Sequence, residues 1–496
     1  KPTRTTIYTN LPVVSAATIN TAIQNCPSNQ IVTLSNQTYS LSEVIVMKSG
    51  VTLRGQGTNT CLVPDQGVVA IKAAPTVSYT AVNIHSGSWK GSTNISVVSA
   101  ISDISEDSFM LITATNDSNF MYPFGLETGT PTVWAGDDPD TPVGNRLRAD
   151  ITRLYSIANG TNLVLKHPLT FDYTNTPARI GYQANWQTHP YSLFGIENLA
   201  INGASNQVCI QFDGVYNAWV SNVHFRIFAD KQSAVNGFYN ASFVTVQHCA
   251  FAGYPPQPSA VNIRNNCGNW LVENNWFDNA YQAIITESRG NTHAFVGNYV
   301  HSVIAGTGEF VTHGPHKQFL YWAHNRGMGF RADLTHGPSS HQTVFRNHFL
   351  GTYGAFNYGP VWFDQWNLSN NLVANVLGYG GMTGYARTVK APTTWNSPSN
   401  GIVHFNYNGF DTTDAGGRYA DTTTVDHGNV TYESGSPSIT WASGRTHTLT
   451  NCYFYGASRP SWWGTNLTWP AYGPDVSGYT NMIPAQWRYL YGTNSF

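Results

Sequence analysis

A short apolar segment that ends in asparagine recurs through the middle of the chain, as Phe295-Val-Gly-Asn298, Trp322-Ala-His-Asn325, Phe345-Arg-Asn347 and Val373-Ala-Asn375. Counted from Asn275, successive asparagines are 23, 27, 22 and 28 residues apart. A period of this length fits one turn of a solenoid made of short strands. Because stacked turns lie about 4.8 Å apart, equivalent asparagine amides would hydrogen-bond along one corner. The repeat therefore predicts a parallel β-helix in which these asparagines are structural.

In the region before the repeat, the sequence predicts a helix that caps the solenoid and a β lobe that is inserted into it. Residues 15–26 have helical spacing, with Ile19 and Ile23 on one face and Ser15 as the N-cap. An amphipathic helix at the end of a solenoid covers strand edges and core that would otherwise be exposed. Between 85 and 175 the apolar segments are short and lie among polar stretches. We interpret this region as a β lobe inserted into the solenoid.

The composition favours neutral sugars over nucleic acids as partners. Charged residues make up only 10% of the chain and the net charge is −2, while 15 Trp, 27 Tyr and 24 Phe supply flat rings. Strand propensity also enriches aromatic residues, so this explanation stays open. The sequence has neither the clustered Lys and Arg of a nucleic-acid site nor the roughly 20 apolar residues of a membrane span. The chain opens at Lys1 without a signal peptide, and we expect a processed, secreted, extracellular protein.

Counting back from the asparagines predicts one column of ionisable side chains. Eleven or twelve residues before successive asparagines stand Arg264, Glu287, His313, His336 and Asp364. On successive turns they would lie about 4.8 Å apart, where a carboxylate raises the pKa of a neighbouring imidazole. The column is either an acid/base array or a structural charge ladder. A zinc or manganese site at the two histidines and a carboxylate is a further alternative.

Other residues of the same turns are candidates for catalysis or substrate contacts. Asp333 precedes His336 by three residues, and Lys317 follows His313. Lys317 and Arg264 are the cations that would bind a uronate carboxylate. Aromatic side chains that would stack on sugar rings are Trp322, Tyr358, Trp362 and Trp366. Ordinary packing inside the solenoid explains these aromatic residues equally well.

Metal and disulfide sites are weakly indicated. An acidic cluster stands at Asp137, Asp138 and Asp140. It is a candidate for structural calcium, although three carboxylates make only half of a six-oxygen shell. No other cofactor is expected. The six cysteines contain no CxxC motif, and they either form pairs such as Cys26 with Cys61 and Cys249 with Cys267 or remain buried thiols.

Several longer segments resemble a group of bacterial pectin-lyase-like proteins. The segments that carry the resemblance are His313-Gly-Pro-His316, Ala332-Asp-Leu-Thr-His-Gly-Pro-Ser-Ser-His341, Val361-Trp-Phe-Asp364, His427-Gly-Asn-Val-Thr-Tyr432, Arg459-Pro-Ser-Trp-Trp-Gly464 and Trp469-Pro-Ala-Tyr-Gly-Pro-Asp475. The resemblance implies an all-β fold, a right-handed parallel β-helix solenoid with an N-terminal capping helix and an inserted β lobe. It implies no particular reaction, because the fold houses many activities.

These observations divide the chain into four regions. The expected regions are the cap helix and first coils at 1–84, the inserted β lobe at 85–175, the β-helix coils at 176–455 and a C-terminal tail packing on the solenoid at 456–496.

Three functions remain open. A glycoside hydrolase needs two carboxylates about 5 Å apart for retention or roughly 6.5–9.5 Å apart for inversion, and Asp333 and Asp364 are the leading pair. A polysaccharide lyase needs a histidine base, His313 or His336, and a cation that neutralises the uronate. A non-catalytic glycan-binding surface protein is the third. We prefer hydrolysis because basic clusters are missing. The expected partner is a polysaccharide, and the expected state is a monomer or homotrimer.

Overall fold

Two long, mostly parallel sheets run along a solenoid in the computed structural model of the chain. The structure describes residues 1–75, 79–102, 104–106, 108–114, 148–173, 179–183, 191–203, 208–227, 233–253, 259–287, 290–302, 309–314, 317–334, 337–351, 359–364, 366–391, 401–406 and 420–492. Apolar side chains from both sheets fill one continuous core between them. The expected right-handed parallel β-helix is confirmed.

Sheet 1 has 22 strands and bends at one corner in every turn. Its strands are Ile7–Leu11, Ile31–Leu34, Thr38–Leu41, Thr52–Arg54, Cys61–Pro64, Gly195–Gly203, Trp219–Ile227, Thr245–Gln247, Ala250–Gly253, Leu271–Glu273, Trp276–Asp278, Ala294–Val296, Tyr299–Val300, Tyr321–Ala323, Arg326–Gly327, Thr343–Phe345, His348–Phe349, Asn371–Val373, Val376–Leu377, Val425–His427, Asn429–Tyr432 and Pro437–Thr440.

Sheet 2 has 11 strands, all parallel to their neighbours. Its strands are Ile45–Val46, Ile71–Ala73, Ile210–Asp213, Val235–Tyr239, Ser259–Ile263, Gln282–Glu287, Phe310–His313, Phe330–Ala332, Val361–Asp364, Ala386–Ala391 and Gly401–Asn406. Side chains alternate between the core and the outer face of this sheet, as the pleat of a strand requires.

A short third side joins sheet 2 to sheet 1 and carries the lobe. Its paired strands are Tyr191–Ser192 with Val215–Tyr216 and Gly290–Asn291 with Lys317–Gln318. The lobe is a closed antiparallel barrel with strands Tyr79–Ser86, Asn94–Val97, Phe109–Ala114, Arg148–Ala158, Asn162–Leu165 and Arg179–Gln183. The barrel thus extends beyond the expected 85–175 at both ends. Asn291 of the third side donates to Asp150 of the barrel at 2.8 Å, which ties the two together.

One helix caps the start of the solenoid, and the C-terminal helix packs on the middle turns of sheet 1, against Trp276–Asp278 and Tyr299–Val300. The helices are Ala16–Asn25, Ala420–Thr423 and Pro484–Tyr491, with a 3-10 turn at Ser461–Trp463. The first confirms the expected cap: Ser15 accepts from the backbone N–H of Thr18, and Ile19 and Ile23 are buried. Within the described ranges no helix has the length and apolarity needed to cross a membrane.

The asparagine corner is the bend of sheet 1, formed by Asn275, Asn298, Asn325, Asn347, Asn375 and Asn429. From Asn275 to Asn375, each side-chain amide donates to the side-chain oxygen Oδ1 of the next asparagine, at 2.9 to 3.0 Å. That oxygen also accepts from the backbone N–H of the asparagine in the preceding turn, as between Asn325 and Asn298. The residue before each asparagine has a positive φ, and this left-handed residue turns the chain. The corner is a continuous, satisfied structural ladder.

All six cysteines are buried, and none of them forms a disulfide. The pairs Cys26 with Cys61 and Cys249 with Cys267, left open by the sequence, therefore do not form in this structure. The sulfur atoms of Cys249 and Cys267 lie near backbone carbonyls of the solenoid wall, those of Val220 and Gly237.

Candidate active site

A row of ionisable side chains follows the outer face of sheet 2. We call it the charged row, and it consists of Arg264, Glu287, His313, Asp333 and Asp364. Glu287 and His313 are direct partners in neighbouring strands. For the other members, the residues that immediately precede them are paired between neighbouring strands. Arg264 therefore lies beside Glu287, and Asp333 lies beside both His313 and Asp364. Neighbouring members are therefore one strand spacing apart, about 4.8 Å.

Asp333, rather than the expected His336, continues the row. Counting back a fixed number of residues fails here because 14 residues separate Asp333 from Asn347, whereas 11 separate Asp364 from Asn375. The chain between sheet 2 and the asparagine corner is longer in this turn. His336 and Tyr358 lie outside the described residues, and so does the side chain of Lys317.

His313 and Asp333 form a hydrogen-bonded dyad. His313 Nδ1 lies 2.6 Å from Asp333 Oδ2, and 18% of the histidine side chain is exposed against 2% of the aspartate. Burial alone lowers the pKa of His313, but the carboxylate of Asp333 outweighs it, with a further contribution from Glu287. The pKa of His313 consequently lies above its usual value. A partly exposed imidazole backed by a buried carboxylate is suited to proton transfer.

Glu287, on the other side of His313, is held from two directions. Arg264 Nε lies 2.6 Å from Glu287 Oε2. Asn262 Nδ2 donates to Glu287 Oε1 at 3.3 Å. Arg264 and Glu287 both retain some exposed side-chain surface. The exposed part of the row therefore presents a cation, a carboxylate and an imidazole in sequence.

Asp364 has a structural environment, which corrects its expected catalytic role. The side chain is fully buried, and Arg331 Nη2 lies 3.0 Å from Oδ2. Trp362 Nε1 donates to Oδ1 at 2.6 Å, and the backbone N–H of Leu334 donates to Oδ2. A carboxylate with no exposed surface and several donors on its oxygens does not reach a sugar. The expected hydrolytic pair of Asp333 and Asp364 is therefore not formed as a catalytic pair.

The expected aromatic platforms are also corrected where the structure describes them. Trp322 lies in the core, stacked on Phe295 with ring centroids 3.9 Å apart. Trp362 and Trp366 are each only 3% exposed. Rings buried this deeply pack against the protein and are not available to stack on a substrate.

No group of three or more metal-binding side chains occurs within the part of the chain that the structure describes. The zinc or manganese alternative at His313, His336 and a carboxylate stays a prediction, because His336 lies outside the described residues. The calcium candidate at Asp137, Asp138 and Asp140 lies outside the described residues.

Sequence reasoning missed the partners that organise the row. Arg331 and Asn262 each stand two residues before a row position, on the same outer face of sheet 2. The alternation Phe330-Arg-Ala-Asp333, with apolar residues inward, was the available signal. Read on its own, this alternation would have placed Arg331 and Asp333 together on the outer face.

Comparison with known proteins shows the fold. No protein-family model matches the chain, and no curated protein matches it in sequence. The tailspike protein gp49 from Pseudomonas phage LKA1 is similar in structure, with a TM-score of 0.51 and 11% identity over 73% of this chain and 57% of that chain. The Pseudomonas phage phi297 tailspike gp61 has a TM-score of 0.48 and 10% identity over 78% of this chain and 62% of that chain. The chain therefore spans less than two thirds of either tailspike, and what it shares with gp49 is the right-handed parallel β-helix fold.

Proposed function

We propose that the chain is a carbohydrate-active enzyme that cleaves a polysaccharide by proton transfer at His313. The observation that carries this proposal is the His313–Asp333 dyad with Glu287 on the adjacent strand. Paired ionisable groups with a shifted pKa are more frequent at active sites than elsewhere. The row runs along the solenoid axis, which suits a long polymer because successive turns offer similar binding positions.

Glycoside hydrolysis is the reaction that we favour. The raised pKa of His313 favours the protonated imidazole, and in this form His313 acts as the acid. Glu287 and His313 are direct partners on adjacent strands, whose backbones lie about 4.8 Å apart. Retaining enzymes hold their two carboxyl groups at a similar separation of about 5 Å. His313 protonates the glycosidic oxygen as that bond breaks, and Glu287 attacks the anomeric carbon. Water then hydrolyses the glycosyl-enzyme ester, and His313 takes the proton of the water.

Asp333 and Arg264 are positioning residues in this mechanism. Asp333 holds the imidazole through Nδ1 and stabilises its positive charge. Arg264 fixes the carboxylate of Glu287. The low overall charge of the chain supports a neutral substrate.

Elimination is the second candidate, and the partial exposure of Arg264 favours it. Arg264 would neutralise the carboxylate of a uronate while neutral His313 removes the proton from the adjacent carbon. The glycosidic bond then breaks, a carbon–carbon double bond forms, and the leaving oxygen takes the proton from His313. Glu287 between the two groups opposes an acidic substrate, which is why we place this reaction second.

Incubation with neutral and uronate polysaccharides distinguishes these reactions. Reducing ends and the ultraviolet absorbance of unsaturated sugar ends are followed together. We expect reducing ends without absorbance from a neutral polymer. Reducing ends together with absorbance from a uronate polymer would establish elimination instead. Absence of both products across the panel would contradict the enzymatic proposal and favour a glycan-binding protein.

A further inference from the structure

A cavity of about 650 Å³ lies over sheet 1, away from the charged row on sheet 2. Its floor is a row of side chains at equivalent positions of successive turns, namely Ala294, Tyr321, Thr343, Asn371 and Val425. This floor runs along the solenoid axis, as the charged row does. The volume is within the range of roughly 300–1,000 Å³ that is usual for ligand sites.

The opposite wall is a segment after the last strand of sheet 1, which we call the tail strap (residues 441–455). It is fastened on both sides of the cavity. At one end His427 Nε2 lies 3.0 Å from the carbonyl oxygen of Thr446. At the other end Arg346 donates to the carbonyl of Thr450 at 2.9 Å, and the backbone N–H of Tyr453 donates to the Tyr321 hydroxyl at 3.1 Å. The cavity is therefore built into the fold.

The lining combines exposed rings with uncharged polar groups. Tyr453 is 65% exposed and Phe454 is 49% exposed, although both are large aromatic residues at the mouth of the cavity. Thr446, Thr448 and Asn371 add hydroxyl and amide groups. Among the described residues of the lining there is no carboxylate, and Arg445 supplies a guanidinium.

We propose that this cavity binds a short polysaccharide segment at a second site, separate from the charged row. Exposed rings stack on the CH faces of sugars, and amide, hydroxyl and guanidinium groups bind sugar hydroxyls or a uronate carboxylate. Because the floor of the cavity runs along the solenoid axis, it offers equivalent positions to successive sugars of one polysaccharide chain. The inference rests on the proposed substrate class but not on catalysis, because the cavity and the charged row lie on different sheets.

Calorimetric titration with defined hexasaccharides tests this site. The probes are the β-1,4-linked hexamers of glucose, xylose and mannose and the hexamer of galacturonic acid. The protein carries His313→Gln so that a bound hexamer is not cleaved. We expect at least one hexamer to bind and Phe454→Ala to weaken that binding about tenfold, through loss of ring stacking. Arg445→Ala then distinguishes the two sugar classes, since it weakens the acidic hexamer more than a neutral one.

Trp89→Ala is the matched control, because Trp89 is an exposed aromatic residue outside the cavity lining. It should leave the affinity unchanged. Binding that is insensitive to Phe454→Ala, or no binding of any hexamer at millimolar concentration, would overturn the second site. Weaker binding in Phe454→Ala supports the site even if no polysaccharide is cleaved. Cleavage by the native protein without binding at the cavity would remove the second site alone.

Discussion

The asparagine corner and the charged row are both ladders of polar side chains repeated on successive turns. In the corner every rung is the same residue, and the amides are joined in one chain of hydrogen bonds. The charged row contains four different residue types, with only aspartate occurring twice, and four of its members are joined in pairs: Arg264 with Glu287, and His313 with Asp333. The corner is buried, whereas the histidine of the row reaches the surface.

The difference separates a structural ladder from a chemical one. Identical amides on a strand spacing of about 4.8 Å satisfy one another and contribute only stability. Different ionisable groups at the same spacing shift the pKa values of their neighbours, which is what proton transfer requires. The repetition of a polar residue on successive turns is therefore weak evidence of function. A row of different ionisable residues at the same positions is stronger evidence.

The largest effect on stability is expected in the corner. Asn325→Ala removes an oxygen that accepts from Asn298 and an amide that donates to Asn347. The buried groups left without partners should cost about 3–5 kcal/mol in the free energy of unfolding. Denaturant unfolding measures this loss. The control is Asn371→Ala, which removes a single 3.4 Å hydrogen bond of a half-buried side chain. Equal losses in both variants would contradict a special role for the corner.

Replacement of the histidine in the charged row should instead affect turnover. His313→Gln keeps a polar side chain but cannot transfer a proton, and we expect the cleavage rate to fall by about 10²–10⁴-fold with little change in thermal unfolding. His301→Gln is the matched control, since His301 pairs with Asp278 at 3.1 Å on sheet 1. A cleavage rate in His313→Gln equal to that of the control would exclude His313 from the mechanism.

A smaller effect is expected at Glu309, a fully buried acid outside both ladders. Burial raises the pKa of Glu309 to about 8, and the Met328 N–H donates to its Oε2. Since its folded pKa exceeds the unfolded value of 4.5, the native state loses stability as pH rises from about 4.5 to 8.

Glu309→Gln does not titrate, so its thermal unfolding tests this pH dependence. Relative to the native chain, we expect the variant to gain on the order of 2 kcal/mol between pH 5 and pH 8. Asp364→Asn is the comparison, because Asp364 has Arg331 as its ion-pair partner. This variant should be less stable than the native protein at both pH values. If the difference in stability between the native protein and Glu309→Gln were the same at pH 5 and pH 8, the raised pKa of Glu309 would be contradicted.

The sequence predicted the regular parts of the molecule well. The cap helix and the spacing of the asparagines depend on local periodicity, which needs no knowledge of other turns. Along the charged row, Arg264, Glu287, His313 and Asp364 also stand where the count from the asparagines put them.

The parts that could not be predicted depend on other turns. Asp333, and not His336, stands in the charged row because the chain between sheet 2 and the asparagine corner is longer in that turn. A count of a fixed number of residues does not detect such an insertion. Burial of Trp322 and Asp364 is set by packing against neighbouring strands and loops. Residue type did not distinguish a sugar platform from a core tryptophan.

Titration of the His313 ring by nuclear magnetic resonance tests the central claim directly, because it needs no substrate. The native protein and Asp333→Asn are compared after selective labelling of histidine. A buried carboxylate at 2.6 Å should hold the pKa of His313 above its reference value of 6.5, and removal of that charge should lower it clearly. A pKa at or below 6.5 in the native protein, or the same pKa in both proteins, would contradict the proton-transfer dyad.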